Sequence, residues 1–209
     1  MQTNAMPSQN ATLNPEAQAR ADWYAFLARI WYASPDESLL RAMAEADEIV
    51  SEGHDAPLDQ AWRRLAQAAQ LVDVATVKLE YDTVFVGTGK AEVTPYMAHW
   101  LPGTTGKEKQ LLRLRKLLDE WGLARAESAR EPEDHLAALC EVMRHLILSG
   151  GAEERTLDRQ SELFKRYFAP GYAAFAAAAR NSKQTNFYKN VAAFTETFLR
   201  IEEQSFQML

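Results

Sequence analysis

Apolar residues recur in this chain at the spacing of one helix face, segment after segment, and never at the spacing of a half-buried strand. Trp23, Phe26, Leu27, Ile30 and Trp31 fall at i, i+3, i+4, i+7 and i+8. The same stripe returns in Leu39, Leu40 and Met43, in Leu58, Trp62 and Leu65, and in Val77, Tyr81, Val84 and Phe85. Further along it reappears in Leu111, Leu114, Leu118 and Trp121, and in Leu136, Leu139, Cys140, Met143 and Leu146. Leu157, Phe164 and Phe168 mark a helix over about 153–168, an alanine-rich segment covers 172–179, and Phe187, Val191, Phe194, Phe198 and Ile201 mark the last helix. No window alternates with period two between turn residues. The expected fold is therefore all-α: a single bundle of about eight or nine helices.

Capping residues punctuate these stripes. Asn14-Pro15-Glu16 supplies an N-cap, a proline at the first helical position and an early carboxylate. Ser34-Pro35-Asp36-Glu37 reads as a capping box, Asp55-Ala56-Pro57 opens a third helix, and Asp73 can cap a fourth. Glu131-Pro132-Glu133-Asp134 opens the helix that runs to Ser149-Gly150-Gly151. One long irregular loop interrupts the pattern at about 87–106, with four glycines and two prolines. Loops of that length in a compact domain are usually functional. Residues 1–13 are expected to be a flexible N-terminus and 14–209 a single domain, with no internal repeat.

Several function classes are disfavoured by composition. The net charge is −6, which argues against nucleic acid, whose phosphates are bound by clustered Lys and Arg. It suits a basic partner such as an arginine-bearing peptide. No apolar run approaches the roughly 18 residues of a membrane span, and residues 1–13 lack the charged start and apolar stretch of a secretory signal. Cys140 is the single cysteine, so no internal disulfide is expected, and its apolar surroundings mark it as a core residue. A cytoplasmic location is expected.

Enzymatic chemistry finds little support. Gly87-Thr88-Gly89-Lys90 lacks the upstream glycine, the following Ser or Thr, and the strand of a phosphate-binding P-loop, so Gly87 reads as a helix stop. His54, His99, His135 and His145 form no metal-ligand spacing, and a zinc site from His135, Asp134 and His99 has little in its favour. No nucleophile, base and orienting acid can be argued from spacing. Glu131, Glu133 and Asp134 read first as carboxylates complementing a helix start. Tyr96 and Trp100 stand apart from every stripe, among prolines and glycines. Aromatics so placed either tuck onto the bundle or offer a peptide large contact area with few rotors.

Taken together, these segments resemble one family. Tyr81-Asp82-Thr83-Val84-Phe85-Val86-Gly87-Thr88-Gly89, then Thr94-Pro95-Tyr96 and Trp100, are similar to a "Y-x-x-L-F-x-G-x-G … P-Y-x-S-x-[YW]" signature. Glu131-Pro132-Glu133-Asp134-His135-Leu136 is similar to an "E-P-x-D-H-[LI]" signature, and Phe187-Tyr188 with Phe198-Leu199 resembles a C-terminal helix. The family is that of the TorD/DmsD/NarJ redox-enzyme maturation chaperones, with the TorD/DmsD-like branch nearest, and the resemblance covers about 15–205. Ala98 stands where the family has serine, and Val84 where it has leucine.

The resemblance implies an all-α protein that is not an enzyme and carries no cofactor or metal. It implies a cytoplasmic chaperone that binds the twin-arginine leader, and in some members the apoprotein, of a molybdopterin oxidoreductase catalytic subunit before export. Guanine-nucleotide binding, attributed to a few members, is not expected here. The peptide-binding residues expected are Tyr81, Phe85, Pro95, Tyr96, Trp100, Glu131, Asp134 and His135. Asp134 and Glu131 would meet arginines through charge-assisted bonds, and Tyr81, Phe85, Tyr96 and Trp100 would line the apolar part. The alternative is a NarJ-like assembly factor, or a general helical module, for a non-exported redox enzyme. A homodimer formed by exchanging elements is compatible with either reading, with the 87–106 loop as hinge.

Overall fold

A computed structural model describes residues 14–46, 56–103, 106–127, 129–150 and 154–208. The flexible segment expected at 1–13, the helix start at Asp55, the stop at Gly151 and His54 lie outside them. Among the described residues there are nine α-helices: α1 (Pro15–Tyr32), α2 (Glu37–Glu45), α3 (Ala56–Gln70), α4 (Val74–Tyr81), α5 (Lys107–Glu120), α6 (Leu136–Gly150), α7 (Glu154–Leu163), α8 (Tyr172–Asn181) and α9 (Phe187–Gln207). They form the all-α bundle the periodicity predicts. No helix among the described residues is long and apolar enough to cross a membrane.

Helix α1 is the centre of the molecule. Ala21, Tyr24, Leu27, Ala28, Ile30 and Trp31 are all buried along it. It packs along α6, while α9 packs on α3 and α8. Trp31 sits inside a cluster of rings from three other segments, with Phe175 at 4.8 Å, Phe85 at 5.3 Å and Tyr188 at 5.6 Å between centroids. Such a ring cluster buries much area and fixes relative orientation through edge-to-face contacts.

Polar ties lock the bundle where helix ends would otherwise be bare. The Tyr81 hydroxyl donates to the carbonyls of Trp31 and Tyr32, at 3.1 and 2.9 Å, and so satisfies the C-terminus of α1. Glu80, on the same turn of α4, accepts the backbone N–H groups of Asn186, Phe187 and Tyr188 at 2.7–3.0 Å. A buried carboxylate from a distant helix is therefore the N-terminal cap of α9. At the far end of α9, Arg20 grips Glu202 with two bonds of 2.8 Å, and the Tyr24 hydroxyl donates to the same carboxylate at 2.9 Å.

Three local readings change. The cap of α2 is Asp36 and not Ser34: its carboxylate accepts from Leu39 N–H at 2.9 Å, so the helix begins at Glu37, after Pro35. The stripe through Val84 and Phe85 is not continuous α-helix. A π-turn over Asp82–Val86 follows α4, closed by Gly87 N–H on the Asp82 carbonyl at 2.7 Å. A second π-turn, Phe164–Phe168, follows α7. Each widens the backbone by one residue, so Phe85 and Phe168 still face the core. Gly87 ends the first turn at φ 66°, where a Cβ would lie 2.3 Å from the Lys90 carbonyl oxygen, so only glycine fits.

Replacing Glu80 by Ala leaves three N–H groups at the start of α9, those of Phe187 and Tyr188 buried, without their acceptor. Chemical denaturation is expected to show a loss of about 3 kcal/mol for Glu80→Ala, and a smaller loss for Glu80→Gln, which keeps one oxygen.

Candidate functional site

The irregular loop is pinned to the bundle by backbone pairing. After the π-turn, Val93 N–H returns to the Val84 carbonyl at 3.0 Å. The chain then runs beside residues 134–136. Leu136 N–H donates to the Pro95 carbonyl at 2.9 Å, and Met97 N–H to the Asp134 carbonyl at 2.8 Å. Tyr96 and His135 thus form an isolated antiparallel bridge. The two signature segments, thirty-odd residues apart in sequence, are paired side by side in the fold.

Helix α6 begins later than the acidic run suggests. Residues 132–135 form a turn, with His135 N–H on the Pro132 carbonyl at 3.1 Å, and the helix starts at Leu136. The cap is the His135 imidazole: its Nδ1 accepts from Ala137 N–H at 3.1 Å. That bond assigns the neutral ring's proton to Nε2. Burial drives the pKa of His135 down to about 4, against a smaller upward pull from Glu131. The ring also meets Tyr96 edge-on at 5.3 Å.

Asp134 is buried, and its carboxylate accepts the Ala98 backbone N–H. Burial is the main cause of its raised pKa. The link to position 98 is made by the main chain, so it persists with alanine in place of the family's serine. Trp100 lies across the loop, its indole N–H on the Thr94 carbonyl at 2.9 Å. It packs against Gly171, where a Cβ would come within 2.9 Å of the Trp100 Cβ.

A cavity of about 480 Å³ opens beside this junction. Six of the eight expected residues line it: Tyr81, Phe85, Pro95, Tyr96, Glu131 and His135. Asp134 and Trp100 do not, being engaged with the loop itself. Tyr81 and Phe85 are largely buried and offer only an edge to the cavity. The Tyr96 hydroxyl donates to Glu131 Oε2 at 2.6 Å, and desolvation, followed by this bond, pushes its pKa up to about 12. The peptide-binding residues expected from sequence did not include Lys90, Glu92, His99 and Lys107, which also line the cavity. For the first three, polarity within the loop was the available signal; Lys107 is the first residue of α5. Lys107 contacts His99 Nδ1 and, after burial, is the next cause holding that imidazole below its usual pKa.

A hollow of about 590 Å³ lies on the other side of Leu101 and Pro102, walled by Arg113, Lys116, Lys165 and Arg166. Its cations would repel an arginine-bearing peptide. Among the described residues no three His, Cys, Asp or Glu side chains gather as metal ligands.

With this geometry in view, relatives give it a class. A family profile described as nitrate reductase delta subunit matches residues 51–177, more than half of the chain. The chaperone protein TorD of Ferrimonas balearica is 24% identical over 196 residues, covering 90% of this chain and 89% of that protein. A crystal structure of a candidate redox enzyme maturation protein from Archaeoglobus fulgidus shares the fold, with a TM-score of 0.54, 21% identity and coverage of 88% and 93%. The class these matches share is a helical maturation chaperone, not an enzyme. The chain belongs to the TorD/NarJ family of redox-enzyme maturation chaperones.

Because His135 has a lower pKa folded than unfolded, the folded protein binds fewer protons between about pH 4 and the ordinary value near 6.5. Stability therefore falls as pH drops through that window. Denaturation titrations at pH 7 and pH 4 are expected to show wild type losing about 3 kcal/mol more than His135→Gln.

Proposed function

We propose that this protein is a cytoplasmic chaperone for the catalytic subunit of a molybdopterin oxidoreductase. In this reading it binds the subunit's twin-arginine leader, and its apo form, until the client's cofactor is inserted and export can proceed. The observation that carries the reading is the Glu131 carboxylate, set in the cavity wall beside the rings of Tyr96, Tyr81 and Phe85. A leader presents guanidinium groups followed by an apolar run. Glu131 offers the charged acceptor and the rings offer the apolar neighbourhood. Asp134 acts through the loop, by holding Ala98, and His135 acts by capping α6.

The description of the matching family as nitrate reductase delta subunit favours a second reading, an assembly factor for a redox enzyme that is not exported. Deleting the client's leader separates the two, since only a leader reader then loses its client.

Calorimetric titration with synthetic leader peptides in Arg-Arg and Lys-Lys form tests the first reading. Binding is expected to weaken at least tenfold for Lys-Lys, which lacks the planar two-donor geometry, and about tenfold, or ~1.4 kcal/mol, for Glu131→Gln with the Arg-Arg peptide. Equal affinity in both comparisons would contradict the assignment.

A further inference from the structure

A second hollow meets the first at Glu131. It has a volume of about 450 Å³ and lies between α1, α6 and the end of α5, roofed by the chain that follows α5. Its walls are mostly apolar: Tyr32, Leu118, Leu123, Ala137, Ala138 and Val142. Tyr32 stands on its rim, 47% exposed. Glu131 lines this groove and also the cavity beside the loop. Tyr96, its hydrogen-bond partner, lines only the loop cavity, so among the described residues Glu131 alone joins the two spaces.

Charge at the junction is uneven. Arg29 is engaged with Asp36, and Arg125 donates to the Glu131 carbonyl, at 3.4 Å, and not to its carboxylate. Glu133 is paired with Arg115 at 2.9 Å, and Glu141 with Arg144 at 3.6 Å. The Glu131 carboxylate, half-buried, accepts from the neutral Tyr96 hydroxyl and has no ion pair among the described residues. A half-buried carboxylate without a counter-ion favours an incoming cation, and it sits where a polar cavity opens into an apolar groove. An occupant matching both spaces carries a cation immediately followed by apolar side chains.

We infer that the apolar run of the leader lies in the groove between α1, α5 and α6, with Glu131 holding the preceding arginine at the threshold. The inference rests on the leader-binding reading and adds where the apolar half goes. The groove is straight along α6, whose residues 137, 138, 141 and 142 line it at helical spacing, so an apolar stripe of the peptide can lie alongside. Arginine contacts select the leader, and groove burial supplies most of the affinity.

The test crosses two peptides with two proteins. Both peptides carry the arginine pair; one has an apolar run of Leu, Val and Ala after it, and the other has Ser, Thr and Gly there. Affinity is read by fluorescence anisotropy against wild type and Ala138→Trp, which fills the groove from α6. Val142→Lys is the second variant if the first fails to fold, with helical content measured by circular dichroism. Wild type is expected to bind the apolar-run peptide at least tenfold more tightly than the polar-run peptide. Either variant is expected to abolish that difference while leaving the polar-run peptide unchanged. Wild-type affinity for the apolar-run peptide in both variants would overturn the groove assignment and leave leader binding standing. Failure of wild type to bind either peptide would overturn leader binding and the groove assignment together.

Discussion

The pairing of residues 95–97 with 134–136 is the contact on which the rest of the site depends. Without it the long loop would have no fixed position, because its four glycines and two prolines leave it, among the described residues, only one short 3-10 turn, Met97–His99, of its own. The two backbone hydrogen bonds of the Tyr96–His135 bridge and the Asp134 carboxylate on Ala98 N–H hold it to the start of α6. The same segment supplies the histidine that caps that helix. A single turn of chain therefore positions Tyr96, starts α6 and sets Glu131 at the boundary of two hollows. Each of these groups is buried or half-buried, so the bonds work at low local dielectric and their geometry is well determined.

Behind that junction the bundle is arranged to keep α1 and α4 in place. Tyr81 closes the end of α1, and Glu80, its neighbour in sequence, starts α9. The ring cluster around Trp31 joins α1, α8, α9 and the π-turn after α4. The floor of the cavity, made by Tyr81 and Phe85, is thus continuous with the core. A rigid floor beneath a surface carboxylate reduces the ordering a bound peptide must bring about, which favours affinity.

The helices were legible because burial in a bundle imposes the 3.6-residue period on every packed segment. The loop was legible from Gly87, Pro95 and Pro102. What periodicity could not reveal was the single-residue bridge between Tyr96 and His135, since a one-residue pairing leaves no alternating pattern. Nor could it reveal the π-turns, which keep Phe85 and Phe168 on the buried face while breaking the count. The acidic run at 131–134 looked like a helix start and is a turn that hands the cap to His135, whose imidazole is an uncommon acceptor. Likewise Asp134 and Glu131 are alike in sequence but not in place: one faces a backbone N–H inside the protein, the other faces open space. The groove beyond Glu131 was invisible because alanines such as Ala137 and Ala138 carry no signal until the neighbouring helices are positioned.

The central claim is that a leader's arginine is held at Glu131, between the loop cavity and the apolar groove. Photo-crosslinking addresses it most directly, using an Arg-Arg leader peptide with a benzophenone side chain next to the arginine pair and mass-spectrometric mapping of the adducts. The account predicts adducts concentrated at residues 92–99 and 131–135 and on Tyr32, competed away by unlabelled peptide. Adducts concentrated instead on α7 and α9, or around Arg113 and Lys165, would contradict it.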